Sequence, residues 1–201
     1  MKVNGGNAEK GLRVDKQPND GAYKPSQILD SNNGTAHINI RVNPFTEAIA
    51  HTHPPSGDGY FTMFAGPDII KMGEMVKMVQ STFSPVVNPI DIAHILIADG
   101  MTFAIRFDDA ASVQTLRDIY EDKDKKEDFK DDLEDAFKSD KSGPPLYQST
   151  TIVAKQQRHI YKLLGKYNLN MSLYQANYDA NGFISDWQKT NKETLEKEPC
   201  N

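Results

Sequence analysis

Glu47-Ala48-Ile49-Ala50-His51-Thr52-His53, halted by Pro54-Pro55, is the stretch on which the fold turns. Its apolar centre reads as a short strand, and two adjacent prolines end it because neither can donate a ladder hydrogen bond. A loop rich in glycine and aromatic residues follows over 56–66, and Pro67 then suits the first position of a helix. Ile69, Met72, Met75, Val76 and Val79 recur at three- and four-residue spacing, the stripe of an amphipathic helix. The methionines in it read as adaptable core filling.

Outward from this unit the β signals dominate the first half of the chain. His94-Ile95-Leu96-Ile97-Ala98, the Asp99-Gly100 turn and Met101 to Phe107 form the clearest hairpin. His94 begins that hairpin and reads as an edge or core histidine, not a ligand. Upstream, Gly11 to Val14 is a short alternating run ended by the turn-rich Gln17-Pro18-Asn19-Asp20-Gly21. The Asn33-Gly34 turn leads into Ala36 to Val42, a period-two strand with Ala36, Ile38, Ile40 and Val42 on one face and His37 on the solvated one. Downstream, Glu121 to Asp140 mixes Lys, Asp and Glu, with Phe129, Leu133 and Phe137 four apart: a solvent-facing helix with one apolar stripe. Gly143-Pro144-Pro145 breaks it, and a further helix over 149–167 holds His159. Met171 to Tyr178 alternates and reads as a closing strand, with Phe183 to Trp187 packing beside it. Residues 191–201 read as a polar tail or an exposed helix end.

The bulk numbers bound the function classes. A chain of 201 residues with 38% apolar content fits one domain, here taken as 1–190 with a tail over 191–201. A net charge of −5 argues against a nucleic-acid binder that works by neutralising phosphates. Charged residues make up 25% of the chain, and the longest apolar runs are too short to span a bilayer, so no membrane partner is expected. Met1 to Gly11 lacks the apolar segment of a signal peptide, and the expected compartment is the cytoplasm. The single cysteine, Cys200, offers neither an internal disulfide nor a Cys-His zinc knuckle. Any metal site must be built from histidine and carboxylate.

His51-Thr52-His53 meets that requirement. Side chains two apart on a strand share a face, so both imidazoles can address one ion, and zinc accepts such nitrogen donors. Asp68, in the first turn of the following helix, can supply a third and anionic ligand, leaving a fourth position open. Asp58, in the loop, is the alternative carboxylate.

These residues resemble the JAB/JAMM metalloprotease family. Its signature is an upstream glutamate, then His-x-His-Pro, then a Ser-x-x-Asp that opens a helix. His51-Thr52-His53-Pro54 matches the first part, and Phe64-Ala65-Gly66-Pro67-Asp68-Ile69 is similar to the helix entry. The likeness covers about 9–107 in order of elements, and it extends to little-characterised bacterial members that add helices and a C-terminal strand. It implies an α+β fold with a mixed central β-sheet flanked by helices, of the JAB/cytidine-deaminase-like kind, plus extra C-terminal helices and a closing strand over 108–190.

The resemblance also implies a function. It is a zinc-dependent metallohydrolase, a peptidase or isopeptidase acting on a peptide or protein substrate through metal-bound water, with Zn2+ held by His51, His53 and Asp68. The family's glutamate serves as general base and then as proton donor. Glu9, at the entry to the first strand, is the preferred match. Glu47 is the rival, on the His51 face but over about 10 Å away along an extended strand. The family serine that helps hold the oxyanion is replaced by Ala65, and loss of one such donor typically costs about a hundredfold in rate. Thr62 or Ser56 could substitute if the loop folds back. The alternative function is a catalytically impaired binding or structural module that retains zinc. The absence of Pro-Cys-x-x-Cys argues against a zinc deaminase, and the absence of Gly-x-Ser-x-Gly argues against a serine hydrolase.

Overall fold

The computed structural model describes residues 8–31, 38–54, 61–141 and 149–200. In chain order they form β1 (Lys10–Lys16), β2 (Tyr23–Pro25), β3 (Leu29–Asp30), β4 (Thr46–Thr52), α1 (Gly66–Gln80), β5 (Ala93–Ala98) and β6 (Met101–Phe107). Three helices come next: α2 (Ala110–Glu121), α3 (Lys123–Lys141) and α4 (Ser149–Lys166). The strands β7 (Met171–Tyr178), β8 (Ile184–Thr190) and β9 (Lys197–Pro199) complete the order. All nine strands join one sheet, β2-β1-β4-β5-β6-β7-β8-β9, with β3 beside β1. The fold is α+β with a mixed sheet, because β4 and β5 pair in parallel while the other pairs are antiparallel.

A parallel pair needs a crossover, and α1 supplies it between β4 and β5. Its stripe of Ile69, Met72, Met75, Val76 and Val79 is fully buried. That apolar face joins Ile49, Leu96, Phe103 and Ile105 of the sheet in a core cluster that extends to Leu173. The other side of α1 carries Gly73, where a Cβ would stand 2.7 Å from Tyr120 Cβ and 2.8 Å from the Leu116 carbonyl oxygen. Glycine lets α1 and α2 meet at backbone distance. The β5–β6 turn puts Asp99 and Gly100 at φ values of 47° and 76°, the pair of positive angles that a two-residue hairpin turn with the strands' own twist requires.

Several sequence expectations change. The strand read over 36–42 does not form: residues 38–42 are irregular, and 36 and 37 lie outside the described residues, as does the Asn33-Gly34 turn. Ile40 is buried nonetheless, and the Ile38 N–H donates to Glu9 Oε2 at 2.8 Å instead of to a neighbouring strand. The charged segment begins a new helix at Lys123, because Asp122 Oδ1 accepts the N–H groups of both Asp124 and Lys125 at 3.1 Å. Phe129, Leu133 and Phe137 then point into the core as the spacing requires. Met171 to Tyr178 is not the closing strand, since β8 and β9 extend the sheet beyond it. The expected tail is part of that extension. Asn191 Oδ1 accepts from the N–H groups of Glu193 and Thr194 and reverses the chain, which brings β9 back against β8. Among the described residues no helix is long and apolar enough to cross a membrane.

Candidate metal centre

Two elements and their register assemble the centre. On β4 the alternation of side chains sends Ile49, His51 and the following His53 to one face. The ladder continues past the strand end, where the His53 N–H donates to the Ile97 carbonyl at 2.9 Å. His51 Nε2 and His53 Nε2 stand 3.0 Å apart. Over them sits the first turn of α1, which brings Asp68 Oδ1 to 3.3 Å from His51 Nε2 and Asp68 Oδ2 to 3.6 Å from His53 Nε2. Both imidazoles are buried, and the carboxylate is nearly so.

The helix start also holds the carboxylate. Ala65 is the N-cap, and its N–H donates to Asp68 Oδ2 at 2.7 Å. This is half of a capping box, since an alanine side chain has no atom to accept the Asp68 N–H in return. The position that resembles the family serine thus lends its backbone, not a hydroxyl, to the site.

His94 is the residue that the sequence reading set aside. Parallel pairing aligns it with Ile49, and so it lies on the face that carries His51. Its Nε2 is 2.9 Å from His51 Nδ1, and its Nδ1 is 2.8 Å from the Asp68 carbonyl oxygen. His51, Asp68 and His94 offer ligand atoms within 4.8 Å of one another, and this group could hold a metal ion. Nothing in the local sequence announced His94, because its partner is fixed by strand register across 43 residues.

A cavity of about 320 Å3 opens on this centre, lined by Glu9, His51, Asp68, Lys71 and His94 with Ile38, Ile40, Ile49 and Pro67 among its walls. The antiparallel register of β1 on β4 pairs Gly11 with His51, and the Lys10 N–H reaches Thr52 Oγ1 at 2.9 Å. Glu9 therefore falls opposite His53, where it is buried. Glu47 is elsewhere: it accepts from the Tyr23 hydroxyl at 2.9 Å and pairs with Lys16 at 3.3 Å, at the opposite end of β4. Thr62 is buried and outside the described lining of this cavity. Ser56 and Asp58 lie outside the described residues.

Burial and charge pull the site's groups in different directions. Burial alone would raise the Asp68 carboxyl, but the charges of His51 and His53 and a hydrogen bond from His53 hold it well below the usual carboxylate range. Burial opposes protonation of His53, yet Asp68 beside it and its bond to the Phe61 carbonyl leave it raised. Burial dominates at His94 and pushes it down despite Asp68, which favours the neutral ring. Comparison with models of known families, with curated proteins and with solved structures finds no significant match.

Proposed function

We propose that this centre binds zinc through His51 Nε2, His53 Nε2 and the Asp68 carboxylate, and that the protein is a zinc-dependent metallohydrolase, a peptidase or isopeptidase of the JAB/JAMM kind. The observation that carries the reading is the convergence of these ligand atoms at 3.0, 3.3 and 3.6 Å beside a buried glutamate. Zinc takes nitrogen and oxygen donors at about 2.0–2.2 Å in a tetrahedron, which sets neighbouring donors roughly 3.3 Å apart. The donor set fits that ion. His53 Nδ1 faces the Phe61 carbonyl at 2.7 Å and can only donate to it, so a neutral His53 turns the lone pair of Nε2 toward Asp68 and His51.

When bound, zinc acts as a Lewis acid that polarises a carbonyl and brings the pKa of water to about 7. The remaining work falls to the chain. Glu9, oriented by the Ile38 N–H at 2.8 Å, faces the same cavity and serves as the proton acceptor and later the donor to a leaving amine. Asp68 stays ionised at neutral pH and contributes the single negative charge among the three ligands. The apolar walls at Ile38, Ile40 and Ile49 exclude water from the space that a peptide or protein substrate would enter. Ala65 supports a second reading, an impaired binding module that keeps zinc, because the position that resembles the family serine carries no hydroxyl donor.

Zinc content per chain by mass spectrometry, together with thermal unfolding at rising zinc, tests the assignment. A ligand that binds the folded state at about a hundred times its Kd stabilises by roughly 2.7 kcal/mol. At about 2–4 °C per kcal/mol for a chain of this size, Tm should rise by roughly 5–10 °C. His51→Ala should abolish both zinc content and the rise. A wild-type protein that neither holds nor responds to zinc refutes the site. Glu9→Gln should keep zinc and remove hydrolysis of a peptide library. Wild-type zinc binding without hydrolysis leaves the binding-module reading.

A further inference from the structure

We infer that the sheet face turned away from the helices is a docking surface for a second copy of this chain, so that the protein pairs through its sheets in solution. The inference does not rest on the zinc-site reading, because the cavity with His51 and Asp68 is built on the helix side of the sheet.

The helices α1 to α4 all contribute to one core cluster, and they meet the sheet from one side. The strand residues in that cluster, from Ile49 through Leu96, Phe103 and Ile105 to Leu173, occupy alternate positions and so point one way. The remaining positions are apolar too. Leu12, Val14, Ile95, Ile97, Tyr174 and Trp187 are half-buried, and none of them packs against the cluster. Ala104 and Ala176 are 6% and 5% exposed, yet they also stand outside it. Their taller neighbours in the sheet screen them. A sheet with one face in water alternates apolar with polar residues, whereas strands covered on both faces read as continuous apolar runs. β5, Ala-His-Ile-Leu-Ile-Ala, has no polar residue at its outward positions Ala93, Ile95 and Ile97.

Relief, charge and area select a second copy as the occupant. The ladder sets Leu12 beside Ala50, Ala50 beside Ile95, Ile95 beside Ala104 and Ala104 beside Tyr174, a row that runs large, small, large, small, large across the sheet. At about 4.8 Å per strand its ridges recur roughly every 10 Å, with a groove between each pair. Such alternation interdigitates with itself. A two-fold axis along the strands, between β5 and β6, seats Ile95 in the groove at the partner subunit's Ala104. The same axis seats Tyr174 at the partner subunit's Ala50, the isologous contact of a symmetric dimer. Charge points the same way. Arg106 and Lys189 stand on this face and are met within the chain by Asp91 at 3.6 Å and Asp108 at 3.3 Å. The face therefore has an apolar centre and compensated charges at its margin, which suits an apolar partner and gives a highly charged one nothing to read. The area is sufficient. The strands β1, β4, β5, β6, β7 and β8 lie side by side. At about 4.8 Å per strand, and about five residues rising roughly 3.3 Å each, they give a footprint of roughly 500 Å2. Two copies together hide about 1,000 Å2, the size at which a specific interface becomes stable.

Sedimentation velocity and light scattering on the full chain measure the mass, which from micromolar concentration upward should be twice the chain's 22.5 kDa. Ile95→Glu places a carboxylate without a partner at the centre of the interface. It should weaken association by about a hundredfold or more while the far-ultraviolet circular dichroism keeps its wild-type form. Phe83 is fully exposed and outside the sheet, so Phe83→Glu should leave the dimer intact. Ile97→Thr keeps a β-branched residue suited to a strand and should raise the dissociation constant several-fold, which decides the question if Ile95→Glu does not fold. A wild-type chain that sediments at 22.5 kDa at every concentration overturns the inference, whether the face then takes an unlike protein or a lipid surface. A dimer that Ile95→Glu and Ile97→Thr leave as tight as wild type overturns it equally, since another surface then holds the copies together.

Discussion

Gly66 opens α1 two residues before Asp68, and replacing it with alanine probes how closely the charged helix α3 presses on the start of α1 beside the candidate metal centre. A Cβ at Gly66 would stand 2.7 Å from Lys130 Cα, 3.1 Å from its carbonyl oxygen and 3.2 Å from its Cβ. Carbon atoms pack at about 3.5–4.0 Å, so relief requires α1 and α3 to separate by roughly 1 Å. The nearest atom belongs to backbone and cannot rotate away. Overpacking of this kind costs about 1–3 kcal/mol, while alanine is favoured over glycine in a helix by up to about 1 kcal/mol. The net expectation for Gly66→Ala is a loss of about 1–2 kcal/mol, a fall in Tm of roughly 2–8 °C at this chain length. Gly165, inside α4, is the control: no atom lies within 4 Å of a Cβ there. Gly165→Ala should therefore gain about 0.5–1 kcal/mol. Differential scanning calorimetry of the two variants beside the wild type measures both signs. A Gly66→Ala protein as stable as Gly165→Ala would refute the close approach of α3 to the start of α1.

Two further expectations follow from single contacts. Ala65→Ser gives the N-cap of α1 an oxygen that can accept the Asp68 N–H and complete the capping box, which should add about 1 kcal/mol, read as a higher midpoint in urea. A midpoint at or below wild type would mean that the added hydroxyl finds another partner. Asp108 is buried enough to raise its carboxyl, but hydrogen bonds from Lys192 and Ser172 and the charges of Lys192 and Lys189 bring it below the usual range. A lowered carboxyl in the folded state contributes stability above the unfolded pKa of about 3.9, and that stability is lost as pH falls through the folded value. Asp108→Asn should lower Tm at pH 7 through loss of contacts to partly exposed lysines, on the order of 1 kcal/mol. The gap between variant and wild type should narrow in acid, and a gap that widens as pH drops would contradict the assignment.

What the sequence revealed and what it concealed divide along one physical line. Signals with a local period were legible. Two-residue alternation placed His51 and His53 on one face, three- and four-residue spacing drew α1 with Asp68 in its first turn, and the Asp99-Gly100 pair drew the hairpin. The same local logic failed at 36–42, where an alternating run carried a strand's pattern. Residues 38–42 bury Ile40 and spend the Ile38 amide on Glu9 instead. The tail failed for a related reason, since β9 exists only because Asn191 turns the chain back onto β8. Signals that depend on register were not legible in the local pattern, and the preference for Glu9 over Glu47 rested on the family resemblance and on distance along the strand. Glu9 and Glu47 are both carboxylates near strand ends. What separates them is that β1 pairs with Gly11 against His51, which sets one glutamate in the cavity and leaves the other with Lys16 and Tyr23. His94 shows the point most sharply. Its place in an apolar strand gave every reason to read it as packing. Only the parallel pairing of β5 with β4 turns it toward His51, and such a pairing exists only because α1 crosses between the two strands. The helix that delivers Asp68 is therefore also the reason that His94 reaches His51, so the carboxylate and this histidine come from one topological decision.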